Sequence, residues 1–410
     1  MIRELEITAL GAQGDGIGEI DGAPVYVPFT LPGERVAAEI SGNRGALSDV
    51  IRPSPARVTP SCSHFGQCGG CALQHMGAAD YQAFKIDNLV RAMAHRGFAD
   101  LPLEPLVASP PGTRRRMALR ALRVGRRVIL GFSARMSHRV IDVAQCPVAR
   151  PELLQVLPAL RAFLGPVLPL RRAADCLLTL TETGIDLQLR GLPEPDLALR
   201  ERVTEFAASA DLARVSFDDE VVLERRTPVM TFAGVPVALP PGAFLQATAE
   251  GEHALQQAVT DHLKGASRIL DLFAGLGTFT FPLAAAGAQV MGVEGDAALV
   301  VALRQAADRR GLVKVAGMVR DLFRNPLRVE ELDSHDAVAI DPPRAGAEAQ
   351  AEMLARSRVP RVAMVSCNPA TFARDARILV DGGYTLASLR PVDQFLWSPH
   401  LELVSLFVRG

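Results

Sequence analysis

Lysine is almost missing from this chain: Lys85, Lys264 and Lys314 are three among 44 basic residues, and the others are arginine. Long apolar runs are missing too. Nowhere do about 18 uninterrupted apolar residues occur, the length that marks a membrane-spanning helix. The opening MIRELEITAL has no basic region followed by an apolar core, which sets a secretory leader aside. Internal repeats and low-complexity tracts are absent. Cysteine is sparse, with six in 410 residues: Cys62, Cys68, Cys71, Cys146, Cys176 and Cys367. A soluble, cytoplasmic protein is expected, and in a reducing cytosol clustered cysteines argue for metal binding or catalysis over disulfides.

What is present is enough apolar material, 49% of residues, for substantial cores, and a length that favours two or three domains. The formal net charge of −1 conceals a local imbalance. Between Gly112 and Ile141 stand nine arginines, Arg114, Arg115, Arg116, Arg120, Arg123, Arg126, Arg127, Arg135 and Arg139, and no acid. Such a stretch suits a polyanion such as RNA better than a neutral metabolite. The competing account is a solvated strand face in an arginine-rich chain.

Three segments follow from the patterning. Residues 1–58 read as short strands, RELEITAL, GIGEIDGAPVYVPF with Asp21-Gly22 as a hairpin turn, ERVAAEIS and ALSDVI, the pattern of a small β-barrel. Pro53, Pro55 and Pro60 mark a linker into the cysteine cluster. Residues 59–245 hold a helix with apolar Phe84, Leu89 and Met93, then a β-rich stretch from about 112 to 240. Over residues 246–410, helices alternate with the apolar strands SRILDLFAG, AQVMGVEGD, VKVAGMVRD, DAVAIDPPR and RVAMVSCNP, which predicts an α/β domain with a parallel sheet covered on both faces. The closing runs YTLASLRPVDQF and LELVSLFVR are expected to pair antiparallel at one side.

In DLFAGLGTF, a glycine turn with Gly275 and Gly277 follows an apolar strand and precedes a helix, where backbone approaches a ligand closely. A dinucleotide fingerprint would place a third glycine at 280, but Thr280 stands there. Glu294 comes 19 residues after Gly275 at the end of the next strand, where an acid accepts hydrogen bonds from ribose hydroxyls, and Asp321 ends the strand after that. A glycine turn with two such acids and no pyrophosphate signature points to S-adenosylmethionine. Asp341 in IDPPR and Cys367 in SCNPATFARD lie just beyond the carboxyl ends of later strands, where open α/β sheets bind ligands. A lone cysteine there is more often a buried small hydrophobe. Here it shares an edge with a cofactor turn and Asp341, so it is a candidate nucleophile. PHLELV offers His400 and Glu402, and Glu402 is the candidate proton acceptor.

In order and spacing, DLFAGLGTFTFPLA, DPPRAG, SCNPATFARD and PHLELV resemble the signatures of the uracil-carbon-5 RNA methyltransferases, the 5-methyluridine-forming family, and the resemblance covers essentially the whole chain. Residues 1–58, with GDGIG and VPFTLPGE, resemble the TRAM domain, an OB-like RNA-binding barrel. The resemblance implies a class I, Rossmann-like methyltransferase domain with Cys367 as nucleophile and Glu402 as proton acceptor. It implies that Gln246, Phe273, Thr278, Glu294, Asp321 and Asp341 line the cofactor and target-base pocket. Thr248 and Thr278 depart from the family, where members often carry asparagine; threonine still donates one hydrogen bond, so weaker cofactor contacts are expected without loss of function. A thiol is needed because carbon 5 of a pyrimidine is a poor nucleophile. Thiolate attack on carbon 6 makes an enolate whose carbon 5 can displace a methyl from sulfonium, and a base must then remove the carbon-5 proton. The expected partner is large-subunit ribosomal RNA, the alternatives being methylation of uridine 54 in transfer RNA or a non-catalytic RNA-binding iron-sulfur protein, and the enzyme is expected to act as a monomer on a base taken out of its stack.

The remaining cysteines run Cys62-x5-Cys68-x2-Cys71, with Cys146 far downstream in AQCPV. Four thiolates can close a zinc site or hold an iron-sulfur cluster. A run of three plus one distant cysteine before proline leans toward iron-sulfur ligation, and ribosomal-RNA members of the family resembled here carry a 4Fe-4S cluster on matching cysteines. A structural role is expected for it, with redox sensing as the alternative. Cys176 is assigned to packing.

Overall fold

The computed structural model describes residues 1–410. Alternating burial builds the first unit: in β1 (Ile2–Leu10) Leu5 and Ile7 point inward while their neighbours face solvent. With β2 (Gly16–Ile20), β3 (Ala23–Val27), β4 (Arg35–Ser41) and β5 (Arg44–Arg52) it closes a barrel in the order β1-β2-β3-β5-β4. Asp21 and Gly22 both take positive φ, 53° and 80°, which is the turn that joins two twisted strands with a two-residue loop. Gly18 is required by closeness, since a Cβ there would lie 2.5 Å from the Glu6 carbonyl oxygen.

After the cysteine segment come helix α1 (Ala78–Ala94) and a two-residue strand β6 (Val107–Ala108). The next unit is a seven-stranded sheet made of β7 (Arg116–Val124), β8 (Arg127–Ser133), β9 (Val140–Asp142), β10 (Ala173–Thr181), β11 (Gly184–Arg190), β12 (Leu212–Phe217) and β13 (Glu220–Glu224), in the order β13-β12-β11-β10-β7-β8-β9. Helices α2 (Pro151–Gln155), α3 (Leu157–Val167) and α4 (Leu197–Ser209) share its apolar core, with Phe163 and Phe206 stacked at 4.6 Å between α3 and α4. The hairpin β14 (Val229–Phe232) and β15 (Val235–Ala238) belongs elsewhere: Met230, Phe232 and Val237 share a core with Leu303 and Ala306 of the C-terminal part.

That part contains α5 (Ala249–His262), β16 (Arg268–Leu272), α6 (Thr280–Ala285), β17 (Gln289–Glu294), α7 (Ala297–Arg309), β18 (Val315–Val319), α8 (Val329–Leu332), β19 (Ala337–Ile340), α9 (Glu348–Arg356), β20 (Arg361–Ser366), α10 (Pro369–Asp381), β21 (Tyr384–Asp393) and β22 (Glu402–Arg409). The sheet order is β18-β17-β16-β19-β20-β22-β21-β6, with β16 to β20 parallel and β22 antiparallel between β20 and β21. Strand order reverses between β16 and β19, so the crevice above their carboxyl ends is the natural ligand position. Two elements that the sequence places in the middle segment lie on this sheet instead. β6 pairs in parallel with β21, and Leu89 and Met93 of α1 enter the same core as Leu270 and Val338. No helix is long and apolar enough to cross a membrane.

Candidate active site

The turn after β16 is built for close approach. Phe273, Gly275 and Gly277 all have positive φ, and a Cβ on Gly277 would meet the Phe281 ring at 2.6 Å, whereas nothing lies within 4 Å of one on Gly275. Thr280, standing where a dinucleotide site has glycine, donates its hydroxyl to Asp271 Oδ2 at 2.5 Å. Burial pushes the Asp271 carboxyl up to about 7. Glu294 ties the turn to the next strand, accepting from the Gly275 amide at 3.0 Å and the Asp296 amide at 2.9 Å. Asp321 Oδ1 caps its own loop through the amides of Phe323 and Arg324, and the Phe323 ring leans toward Phe273 at 5.3 Å. The Thr278 side chain is half-buried beside the turn, and its carbonyl accepts from Gln256. Thr248 is used differently from the cofactor contact expected of it: its hydroxyl caps α5 through Gly251 N at 3.0 Å and bonds Ser109 Oγ at 2.7 Å.

Across the reversal point the structure brings Asp341, Cys367, Gln246 and Glu402 together. Asp341 Oδ2 accepts from Gln246 Nε2 at 3.2 Å, and Gln394 Nε2 bridges Gln246 Oε1 at 2.7 Å and Glu402 Oε2 at 2.9 Å. Burial raises Glu402 to about 7 and, with Glu402 and Asp271 nearby, holds Asp341 well above the usual carboxylate range. The Cys367 thiol is pushed up to about 11 by burial, then by Glu402 and Asp341, against the pull of Arg344. His400 turns out to be elsewhere, on the wall of the cysteine cavity described below, and burial lowers it to about 4, so it is neutral at pH 7.

Sequence reasoning missed the clamp on the loop that carries Gln394. Lys85 of α1 is buried and donates to Asp393 Oδ1 at 2.8 Å, to Phe395 O at 3.5 Å and to the His400 carbonyl. Tyr81 donates to the other Asp393 oxygen and accepts from Trp397 N at 2.9 Å. Both ends of the 393–400 loop are thus fixed to one helix. Lys85→Met is expected to leave Asp393 buried without a cation and lower stability by roughly 3–5 kcal/mol, as broken buried pairs do. Urea denaturation checks this, and a change below about 1 kcal/mol would rule out the clamp.

Part of the arginine stretch is tied into the fold, while Arg120, Arg126, Arg127 and Arg139 keep solvent-exposed side chains. Arg115 pairs with buried Glu252 at 2.5 Å and donates to Gln246 O at 3.0 Å; Arg116 lies over the Phe244 ring; Arg123 serves the carbonyls of Gly125 and Leu168. Arg120, Arg127 and Arg135 face Asp175, Asp142 and Asp15. Arg114 donates to Arg116 O and lines the cysteine cavity. Arg126 and Arg139 remain exposed with no side-chain partner. Counting charge along the chain omits the acids that the fold brings to it.

Cys62, Cys68, Cys71 and Cys146 line one cavity of ≈ 380 Å³, together with Arg114, Phe395 and His400. No three side chains converge at the distance a single metal ion requires. Burial raises Cys68 and Cys146 and pushes Cys71 up to about 12. Gly70 N donates to Cys68 Sγ at 3.4 Å. Gln74, its oxygen occupied by Cys62 N at 3.1 Å, keeps its buried Nε2 beside the Cys71 sulfur, whose ionised form it favours. Such a donor suits a sulfur acceptor. Cys176 is buried in the core of the seven-stranded sheet.

A parallel sheet that reverses order beside a glycine turn, with an acid closing the next strand, is that of the S-adenosylmethionine-dependent methyltransferases. A family model for tRNA (uracil-5-)-methyltransferase matches residues 214–409, and one for the TRAM domain matches residues 2–42. An uncharacterized RNA methyltransferase of Mesorhizobium japonicum is 45% identical over 99% of this chain and 98% of its own. The 23S rRNA (uracil(1939)-C(5))-methyltransferase of Pectobacterium carotovorum is 34% identical over 98% of this chain and 93% of its own. Among solved structures, the Pyrococcus abyssi tRNA (uracil-54, C5)-methyltransferase in complex with S-adenosyl-L-homocysteine superposes with a TM-score of 0.75 at 25% identity, covering 99% of this chain and all of that one. The chain belongs to the S-adenosylmethionine-dependent RNA uracil-C5 methyltransferases.

Proposed function

We propose that this enzyme methylates carbon 5 of a uridine in 23S ribosomal RNA through a bond between Cys367 Sγ and carbon 6 of the base. The observation that carries this reading is the meeting of a thiol and two buried carboxyls, Cys367, Asp341 and Glu402, at the ligand-binding edge of the sheet. Bound S-adenosylmethionine supplies an electrophilic methyl group. The open backbone at Gly275 and Gly277, the carboxylates of Glu294 and Asp321 and the side chains of Phe273 and Thr278 are its assigned binding groups, while Gln246 and Asp341 hold the edge shared with the target base.

In the free protein the thiol is protonated, which keeps it poorly reactive until substrate arrives. Arg344 is the cation that favours its ionisation. The thiol ionises beside Arg344 by releasing its proton to solvent; its electron pair forms the S–C6 bond and the ring electrons move toward carbon 5 and the carbon-4 carbonyl oxygen, so carbon 5 can accept the methyl group. Glu402, ionised, then takes the carbon-5 proton; the pair left behind forms the C5–C6 double bond and the C6–S pair returns to sulfur. Mixed with cofactor and ribosomal RNA carrying 5-fluorouridine, the protein is expected to give a gel-stable adduct, because fluorine cannot leave as a proton. No adduct with any cellular RNA would overturn the mechanism.

Ribosomal RNA is preferred because the relative named for 23S rRNA is 34% identical over 98% of this chain, against 25% for the solved tRNA enzyme over 99%. Mapping 5-methyluridine in cells lacking the protein decides it: loss from 23S rRNA is expected, and loss from transfer RNA alone would replace the substrate. We assign RNA binding to the barrel within residues 1–58 and to the segment 59–245, and catalysis to residues 246–410. The four-cysteine cavity is assigned to a 4Fe-4S cluster, since Cys62, Cys68, Cys71 and Cys146 line one cavity and four thiolates can hold such a cluster. Cys146→Ala protein is expected to lose iron and brown absorbance; full retention of both would remove Cys146 from the ligand set.

A further inference from the structure

Glu402 must be ionised to act as the base, yet it is buried, faces the acids Asp341 and, behind it, Asp271, and has the Cys367 thiol beside it. It makes no ion pair; Arg344 faces Cys367, and Lys85 is engaged with Asp393 and the His400 carbonyl. We propose that Gln394 is the positioning residue that keeps Glu402 ionised and aimed, a role that rests on the covalent mechanism above.

The argument is one of hydrogen-bond polarity. A backbone N–H can only donate, and the Ala247 amide donates to Gln394 Oε1 at 2.8 Å, so the Gln394 amide nitrogen must face the other way. Its two hydrogens go to Glu402 Oε2 and Gln246 Oε1. With its oxygen occupied, Gln246 in turn must present its nitrogen to Asp341 Oδ2. One main-chain amide therefore sets the orientation of two glutamines in series and delivers a donor to each buried carboxyl.

The surroundings preserve this orientation. A Cβ on Gly251 would come within 2.8 Å of Gln394 Cβ, so the first turn of α5 leaves the space Gln394 fills. Asp393, the preceding residue, is held by Lys85 and Tyr81. A donor to a carboxylate favours its charged form, and for Glu402 the Gln394 amide is the influence opposing burial.

The test is single-turnover methylation of unmodified RNA from about pH 6 to about pH 9 by the wild-type protein, Gln394→Met and Gln394→Glu. The methionine variant removes the donor at similar volume. Its methylated covalent intermediate is expected to decay about tenfold more slowly near pH 7 and to recover at high pH, with the acidic limb displaced upward by about one pH unit. The glutamate variant keeps the acceptor for Ala247 N but sets another acid beside Glu402, so its displacement is in the same direction and larger. If the methionine protein does not fold, the glutamate variant decides. An acidic limb at the wild-type position would overturn the role of Gln394. Both variants are expected to form the 5-fluorouridine adduct, a product that needs no proton removal; failure of the wild-type protein to form it would count against the covalent mechanism and not against Gln394 specifically.

Discussion

Cys367→Ala is expected to lower methyl transfer by about ten-thousandfold or more and to abolish the 5-fluorouridine adduct, while S-adenosylmethionine still binds. The size follows from the chemistry: without a sulfur on carbon 6 the ring keeps its conjugation, and carbon 5 has no electron pair to offer the methyl group. The cofactor turn lies after β16 and is tied to β17 by Glu294, so nothing in its construction depends on the thiol. Stability should change by about 1 kcal/mol or less, because the side chain is only half-buried and makes no hydrogen bond that another group relies on. Labelled-methyl incorporation, gel shift and calorimetric binding of the cofactor check the three parts. An adduct of normal yield in the alanine protein would move the nucleophile away from residue 367.

Glu402→Gln is expected to reduce turnover about a thousandfold, accumulate the methylated adduct and, at the same time, stabilise the fold at neutral pH. The sign follows from where the carboxyl titrates. In the folded protein Glu402 sits at about 7, above the ordinary 4.5, so the folded state holds a proton that the unfolded chain has released between those values. Its favourable contribution is complete below about 4.5 and is lost as pH rises through about 7. At about pH 8 the wild-type protein carries the full penalty of a buried charge and the glutamine variant does not, a difference on the order of 3 kcal/mol. At about pH 5 the two should melt nearly together. An equal gain at both pH values would mean that packing, and not charge, separates them. The same ionisation predicts that the wild-type rate falls as pH drops below about 7.

Much of this site could be read in the sequence because a parallel sheet delivers every strand's carboxyl end to one edge, so Gly275, Glu294, Asp341 and Cys367 could be placed from apolar runs alone. What could not be read depends on partners far away in the chain. Lys85 meets Asp393 across 308 residues, and no local pattern announces that. A signal did exist: Tyr81, Lys85, Leu89 and Met93 follow the four-residue spacing of a buried helix face, and Lys85 is one of three lysines in the chain. Helix α4 was hidden in a stretch read as β-rich because its polar residues dilute a stripe of Leu199, Val203, Phe206 and Ala207. Thr248 departs from the family pattern and Thr280 from the dinucleotide fingerprint, but each hydroxyl has its own bond, one to Ser109 and the α5 cap and the other to Asp271. The arginines were legible as charge but not as contacts.

The dependence of the catalytic sheet on α1 and β6 bears on how this protein can be recombined. The barrel closes its own small core of Leu5, Ile7, Val25, Val27, Val36 and Ala38 and meets the rest of the chain through Leu31, packed with Leu73 and Tyr81, so an exchange between relatives has to keep that contact. A graft cut at residue 246 would instead uncover the surface that Leu89 and Met93 protect, strip the edge from β21 and leave Asp393 without Lys85. Hydrogen exchange in α1 should therefore follow opening of the catalytic sheet, although more than 150 residues separate them in the chain. The barrel can be moved as a front-end unit; the C-terminal sheet travels only with α1 and β6 attached.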